Sequence, residues 1–346
     1  MLADDVAYVL GVDTHADSHA LCLLEASSKR TRRHLSIPAT RRGYRQALRL
    51  ARRQAPGRRV WALEGSGSYG AGLARFLHER GEQVLEVERP ARTGRRGRLK
   101  SDALDAERAA RSLLEGVRGA TPRLGAETQA LRALLTTREG AVTACTAALN
   151  ELRALLVSAP PELRERLQGL PEAALLAACV RLRGGRDAER AATALALRSL
   201  ASRVRQLRAE AKLLEGELAR RVQVLAPELL DQRGVGAICA AALLVAWSEP
   251  GRLRSEAAFA RLAGVAPIPA SSGKVVRYRL DRGGDRRLNR ALHTIVLSRR
   301  RLDPETQAYI ARRVAEGKSE REAVRCLKRY LARSLFRLLE AMPKTA

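Results

Sequence analysis

Four acidic residues stand out by type and position. Asp13 closes the apolar run AYVLGVD (7–13), Glu64 follows the short apolar run Val60 to Leu63, and Asp102 and Asp105 lie three apart in KSDALDAERAA. Carboxylates that converge supply hard oxygen ligands, which suit Mg2+ and also Mn2+. Two such ions about 4 Å apart clamp the attacking and leaving oxygens of a phosphodiester. Without a cation the same four groups repel and raise one another's pKa, so the set makes physical sense as a metal site. Singly, each acid has a plainer reading. Asp102 reads as a helix N-cap with Asp105 completing a capping-box-like pair, Asp13 as the start of a turn, and Glu64 as a solvated strand end. His15 and His19 follow Asp13 closely, but their spacing across a strand turn is not diagnostic of a metal pair.

A second chemistry-bearing stretch is PIPASSGK, Pro267 to Lys274, with two hydroxyls, Ser271 and Ser272, close to Lys274, Arg277 and Arg279. A serine hydroxyl becomes a nucleophile when a base or metal takes its proton and nearby cations neutralise the phosphate it attacks. An ordinary hydroxyl turn is the competing reading. Upstream, Arg233-Gly234-Val235-Gly236 before a small, apolar stretch resembles the hairpin of a helix-hairpin-helix motif, where Gly234 and Gly236 would let backbone N–H groups approach a phosphate. A glycine turn before a buried helix is the competing reading. Further phosphate contacts are expected from Arg95, Arg96, Arg98 and Lys100 in the basic stretch 89–100, and from Arg282, Arg286 and Arg287 ahead of a helix carrying Asn289, Arg290 and His293. Gly65, Gly67, Gly70 and Gly72 lack the GxxxxGK[ST] pattern and read as a tight strand-to-helix connection.

The elements that must hold the acids follow from hydrophobic periodicity. Residues 7–13 and 18–25 read as a hairpin, and a third strand fits Arg33 to Ile37. A helix over Thr40 to Gln54, a strand at Val60 to Leu63, a helix over about 69–80 and a strand at Gln83 to Val87 come next, then a helix from Asp102 to Glu115. Three strands followed by alternating helix and strand predict a mixed sheet covered on both faces, the order of an RNase H-like domain. Apolar positions at Leu131, Leu135, Val142, Cys145, Leu149, Leu152 and Leu156, interrupted by Arg138, and at Leu197, Leu200, Val204, Leu207, Ala211, Leu214 and Leu218, predict two long helices. These would pair as an antiparallel coiled coil or form a dimer stalk. The stretch 160–186, with Pro160-Pro161, Pro171 and Gly184-Gly185, reads as irregular or as a small helical insertion. The expected class is therefore α/β plus all-α. An RNase H-like domain spans 1–120, a coiled-coil region with an insertion near 160–195 spans 121–226, and a helical domain spans 227–346.

Bulk composition narrows the partner. Lys and Arg total 64 against 37 Asp and Glu, a formal net charge of +27 spread along the chain, and only seven of the cations are Lys. The 57 Arg are the better bidentate phosphate ligands, so a nucleic acid is the expected partner, although a GC-rich genome also enriches Arg. Five scattered Cys without CxxC pairs or zinc spacing fit a reducing, cytoplasmic compartment. The amino terminus has no basic start or cleavage site, and the longest apolar run, Ile238 to Trp247, is too short to cross a bilayer, so neither secretion nor a membrane span is expected.

GVDTHADSHAL around Asp13, LEGSGSYG around Glu64 and KSDALDAERAA around Asp102 and Asp105 resemble, in order and spacing, the tetrad motifs of the bridge-RNA-guided insertion-sequence transposases of the one-hundred-and-ten family. RGVGAICAAALLVAW and LAGVAPIPASSGKVVRYRLDRGGDRRLNRALH resemble the carboxy-terminal transposase domain of the same family. The resemblance implies a RuvC-like DEDD metal site acting with a serine that links covalently to DNA. Ser272, before Gly-Lys, is the first choice and Ser271 the alternative. It further implies donor and target DNA as substrates, a structured bridge RNA that selects them, and a homodimer or homotetramer. The rival enzyme class is a metal-dependent nuclease of Holliday-junction resolvase type that uses water as nucleophile. A non-enzymatic nucleic-acid scaffold with a decayed site is the third, and the presence of all four acids weighs against it.

Overall fold

The computed structural model describes residues 6–87, 101–117, 119–185, 187–270, 278–279 and 281–342. The chain divides into two compact units, Met1–Gln129 and Ala130–Ala346.

The first unit is built on five strands: β1 (Tyr8–Thr14), β2 (Ser18–Glu25), β3 (Thr31–Pro38), β4 (Arg59–Glu64) and β5 (Gln83–Val87). Their spatial order is β3-β2-β1-β4-β5. β1, β2 and β3 pair antiparallel, whereas β4 and β5 run parallel to β1. This is the mixed RNase H-like sheet that the element order predicts. Period-2 alternation sends Leu10, Val12, Trp61 and Leu63 to one face, where they bury against α1 (Arg41–Gln54) and α2 (Ala71–His78) through Tyr44, Leu48, Leu73 and Leu77. The other face, with Val9, Val60 and Ala62, buries against Ala109, Ala110 and Leu113 of α3 (Asp102–Leu114). Each large aliphatic side chain so buried contributes about 1.5–3 kcal/mol.

One contact sets how closely α3 lies on the sheet. Gly11 of β1 faces the helix backbone, and a Cβ there would stand 1.9 Å from the Ala106 carbonyl oxygen and 2.7 Å from the Ala110 nitrogen. Only a residue without a side chain lets strand and helix backbones meet so closely. At the end of β4, Gly65 has φ +72°, a left-handed conformation that turns the chain sharply away after Glu64. The opposite end of the sheet is held by the buried carboxylate of Glu82, which accepts from Arg59 Nε (2.7 Å) and Trp61 Nε1 (2.9 Å). Burial works against the Glu82 charge, but these hydrogen bonds outweigh it and hold the carboxyl below its usual range.

In the second unit, α4 (Ala126–Val157) and α7 (Ala188–Leu225) pair antiparallel, with ion pairs Arg138–Glu215 (3.2 Å) and Arg203–Glu151 (3.8 Å) fixing the register. Leu131 and Leu135 pack with Leu218 and Val222 at one end of the pair. Cys145 and Leu152 pack with Leu197 and Val204 at the other. The seam between them is not continuously dry: Val142 is exposed and Leu207, Ala211 and Leu214 are half-buried. There Arg138, which interrupts the apolar spacing, joins the helices by charge instead of hydrocarbon. By length and mean hydropathy α4 is long and apolar enough to cross a membrane; of its apolar residues, Leu131, Leu135, Cys145 and Leu152 are buried in clusters shared with α7. The intervening stretch is a small helical insertion, α5 (Pro161–Leu167) and α6 (Glu172–Val180), which buries Leu163, Leu167, Leu175 and Leu176 in the distal cluster.

The rest of the unit wraps α9 (Ala237–Trp247), which follows a single turn, α8 (Pro227–Leu230). Every residue of α9 from Cys239 onward is buried. Around it come α10 (Glu256–Leu262), the two-residue ladder of β6 (Ile268–Pro269) with β7 (Tyr278–Arg279), and α11 (Arg286–Leu302), α12 (Pro304–Ala315) and α13 (Glu320–Ala341).

Two outcomes follow. Gly11→Ala should lift α3 from β1 and cost about 2–3 kcal/mol or more in denaturant titrations; a loss under about 0.5 kcal/mol would mean that helix and strand do not touch there. Because the folded pKa of Glu82 is depressed, its stabilisation is present above the unfolded value of about 4.3 and is lost as pH falls through the folded one. Glu82→Gln should therefore cost about 3 kcal/mol at neutral pH, with the gap to wild type closing in acid. Parallel pH profiles for the two proteins would contradict this.

Candidate active site

β1 and β4 are parallel neighbours, and their last paired residues are Val12 and Leu63. Asp13 and Glu64 follow directly, so the alternation that places Val9 and Ala62 under α3 turns both acids to that same face. The strand ends are tied by Thr14 Oγ1, which donates to the Glu64 carbonyl at 2.8 Å. Asp13 is only 4% exposed.

α3 brings the other two acids. Ser101, not Asp102, occupies the N-cap position, and its side chain makes no capping hydrogen bond. Asp102 is the first helical residue and Asp105 lies one turn on, so the capping-box reading of this pair does not hold. Both carboxylates sit in the first turn, where the helix dipole favours negative charge. Asp105 accepts from Arg108 Nη1 at 2.6 Å and adjoins Ala106, whose carbonyl faces Gly11.

His15 stands between the strand and helix acids. Its Nδ1 is 3.9 Å from Asp13 Oδ2 and its Nε2 is 3.9 Å from Asp102 Oδ1, too far for hydrogen bonds. One ligand atom each from Asp13, His15 and Asp102 lies within 4.8 Å of the others. Cation–oxygen distances are about 2.0–2.6 Å, so one divalent ion fits among them after small side-chain adjustments. Two carboxylates and an imidazole suit Mg2+ less strictly than an all-oxygen set and admit Mn2+. Sequence spacing did not assign His15 to the site; the signal was its position two residues after a strand-end acid. His19, which pairs across the hairpin with Thr14, is fully buried and stacked on Tyr44 on the opposite face. Burial pushes its imidazole below the usual value.

Arg95, Arg96, Arg98 and Lys100 lie outside the described residues, as do Ser271, Ser272, Lys274 and Arg277. The serine stretch is described at its base, where Ile268 pairs with Arg279 and Pro269 with Tyr278. Beside that base lies an open cavity of about 750 Å³, with Arg279, Arg282, Arg325, Lys328 and Arg333 among its lining. Lys328 is pushed below the usual lysine range by burial and by Arg325, and its Nζ donates to Asn289 Oδ1 at 3.0 Å. Asn289 in turn donates to the Ala263 carbonyl at 2.7 Å, so it is held within the protein. The lysine and arginines from α13 belong to no motif that the sequence spacing singles out. Arg286 is at the start of α11, whereas Arg287 is turned inward to Glu139 (2.8 Å) and Thr136 Oγ1 (3.1 Å). Gly234, with φ +76°, packs against the Ile295 carbonyl of α11, and Gly236 is the exposed N-cap of α9.

A mixed sheet of this order, with acids at the ends of its two central parallel strands and at the head of the helix covering them, defines the RNase H-like class of DEDD type. Residues 10–161 match the family model described as a transposase, the DEDD type of IS110 elements, and residues 226–311 match that of the transposase IS116/IS110/IS902 family. The chain belongs to the IS110 family of transposases. It is 32% identical over 144 residues to the insertion element IS110 uncharacterized 43.6 kDa protein of Streptomyces coelicolor, an alignment covering 41% of this chain and 36% of that protein. It is 36% identical over 115 residues to the insertion element IS900 uncharacterized 42 kDa protein of Mycobacterium paratuberculosis, covering 32% of this chain and 28% of that one. The alignments thus span roughly a third of each relative.

If Asp13, His15 and Asp102 share an ion, Mn2+ should raise the melting temperature of the wild type. Asp13→Asn and Asp102→Asn should abolish that rise, and His15→Ala should weaken Mn2+ affinity roughly tenfold or more. An undiminished Mn2+-dependent rise in Asp13→Asn would exclude the shared site.

Proposed function

We propose that this chain is a DNA transposase or recombinase that cleaves and rejoins strands through its DEDD acids and a serine, with a structured bridge RNA choosing donor and target DNA. The supporting observation is the convergence of Asp13, His15 and Asp102 at one sheet edge, with Glu64 on the same face, in a chain whose other matched stretch contains the serine loop. Asp13, Glu64, Asp102 and Asp105 would hold divalent metal, Mg2+ by preference. When bound, the metal supplies Lewis-acid stabilisation of charge on the reacting phosphate.

The chain's own residues supply the nucleophile and the phosphate grip. Ser272, or Ser271 in its place, attacks phosphorus; the Oγ–P bond forms as one P–O bond to a nucleoside breaks. The serine proton leaves to a base or solvent, and the freed nucleoside oxygen takes up a proton as a hydroxyl. Running the step backwards with a different strand hydroxyl releases the serine and seals a new junction. The adduct conserves the phosphodiester's bond energy, so rejoining needs no external energy source, which hydrolysis by water cannot match. Pro267 and Pro269 limit the loop's conformations, Gly273 lets backbone approach the phosphate, and Lys274 and Arg277 offset the charge that grows on its oxygens. Arg279, Arg282 and Lys328, around the cavity at the loop base, would bind the flanking backbone. Arg95, Arg96, Arg98 and Lys100 would extend that grip near the acids, reading shape and phosphate while RNA pairing reads sequence. A homodimer or homotetramer would bring acids and serine from different subunits to one scissile phosphate.

The test is a nicked suicide substrate incubated with the full-length protein, its cognate RNA and Mg2+, followed by mass spectrometry of the modified peptide. The expected result is a phosphoserine link at Ser272, lost in Ser272→Ala and in Asp13→Asn. A label on Ser271 moves the nucleophile by one residue. Cleavage that persists without adduct in the Ser271→Ala, Ser272→Ala double variant would point to water and the resolvase-type alternative.

A further inference from the structure

Besides the acids at its head, α3 carries Glu107, which lies over β2 and β3 at a point where no DEDD acid contributes. Cys22 of β2 and His34 of β3 are direct cross-strand partners, so their side chains leave the same face of the sheet. The Cys22 sulfur, an imidazole nitrogen of His34 and a carboxylate oxygen of Glu107 all lie within 4.8 Å of one another. We propose that Cys22, His34 and Glu107 form a second metal site, for a borderline-soft divalent cation of the Zn2+ kind, that fastens α3 to the antiparallel half of the sheet.

The donor set suits that cation. Thiolate, imidazole and carboxylate are the three ligand types of protein zinc sites. A thiolate and a carboxylate together carry two negative charges, which cancel the cation and keep a half-buried site neutral. The Glu107 oxygens are already divided in role: Oε1 accepts from Arg111 Nε at 2.7 Å, while Oε2 faces His34 Nε2 at 3.6 Å. Glu107 would thus bind through one oxygen while Arg111 holds the other, the outer-shell arrangement that orients metal ligands. The His34 side chain is 41% exposed, which leaves an entry path and room for a water as fourth ligand. Cys22 is fully buried, and burial together with the Glu107 carboxylate pushes its thiol up to about 11, against the pull of Thr31 and Arg111. The thiol therefore keeps its proton until a cation replaces it; the metal–sulfur bond forms as the S–H bond breaks, and the proton leaves to solvent.

The two sites would sort cations by softness. The carboxylate-rich edge at Asp13 favours hard ions, and the thiolate at Cys22 favours Zn2+ over Mg2+. Glu107 lies two residues beyond Asp105 on the same rigid helix. An ion at Glu107 would fix the rotation of α3, and with it the approach of Asp102 and Asp105 to the strand ends.

Co2+ titrated into metal-stripped, full-length protein is the probe, because a thiolate bound to Co2+ gives a near-ultraviolet charge-transfer band that oxygen and nitrogen ligands do not. The band should grow in to one equivalent and disappear on adding Zn2+. It should be absent in Cys22→Ser, need roughly tenfold or more Co2+ in His34→Ala and Glu107→Gln, and be unchanged in Asp13→Asn. His34 is exposed, so its variant keeps the test decisive even if Cys22→Ser misfolds. No band in the wild type, a band surviving in Cys22→Ser, or full affinity in His34→Ala would each overturn the site.

Discussion

A strand and a helix can bring their backbones nearly into contact only where one of them lacks a side chain, and in the first unit that place is Gly11. The Ala106 carbonyl and the Ala110 nitrogen occupy the space a Cβ would need. Small residues on the helix, Ala106, Ala109 and Ala110, complete the fit, and all three are buried. Two residues along β1 from Gly11 is Asp13, and one residue back along α3 from Ala106 is Asp105. The separation of the carboxylates is therefore inherited from a packing contact made by groups that have no chemistry of their own.

Electrostatics then acts on two length scales. A net charge of +27 attracts a polyanion from a distance, while the acids at the sheet edge repel it close at hand. A cation among the acids reverses the local sign and lets the two fields act in the same direction. Not all of the positive charge is free to face a partner. Arg59, Arg138 and Arg287 are bound to Glu82, Glu215 and Glu139, and their loss would be felt first in stability. Around the cavity at the serine-loop base, Arg279 and Arg282 are exposed, whereas Lys328 is half-buried against Asn289 and Arg333 is paired with Glu256.

The sheet was legible in the sequence because its two faces impose a period of two, and β5 falls at the expected residues, Gln83 to Val87. The order of the four acids was legible for the same reason, each standing where a regular element begins or ends. The capping reading of Asp102 failed because an N-cap depends on one backbone angle at Ser101, which no local composition signals. His15 escaped because its value lies in a neighbour 87 residues away, Asp102. The heptads between 197 and 218 predicted an unbroken seam, yet one partner's Arg138 decides where that seam opens. Lys328 was hidden among many basic residues, and only the tertiary fold sets it beside Asn289.

Arg287, in the first turn of α11, grips Glu139 and Thr136, a little over one-third of the way along α4. A helix of 32 residues is a stiff rod about 48 Å long. Bending or twisting it at the far end, where α5 and α6 are attached, would deliver torque through the guanidinium to the start of α11. That helix begins seven residues after the last residue of the β6–β7 ladder, Arg279. The antiparallel pair is thus a lever as well as a spacer, and its fulcrum is Glu139, held by both Arg287 and Arg290 of α11.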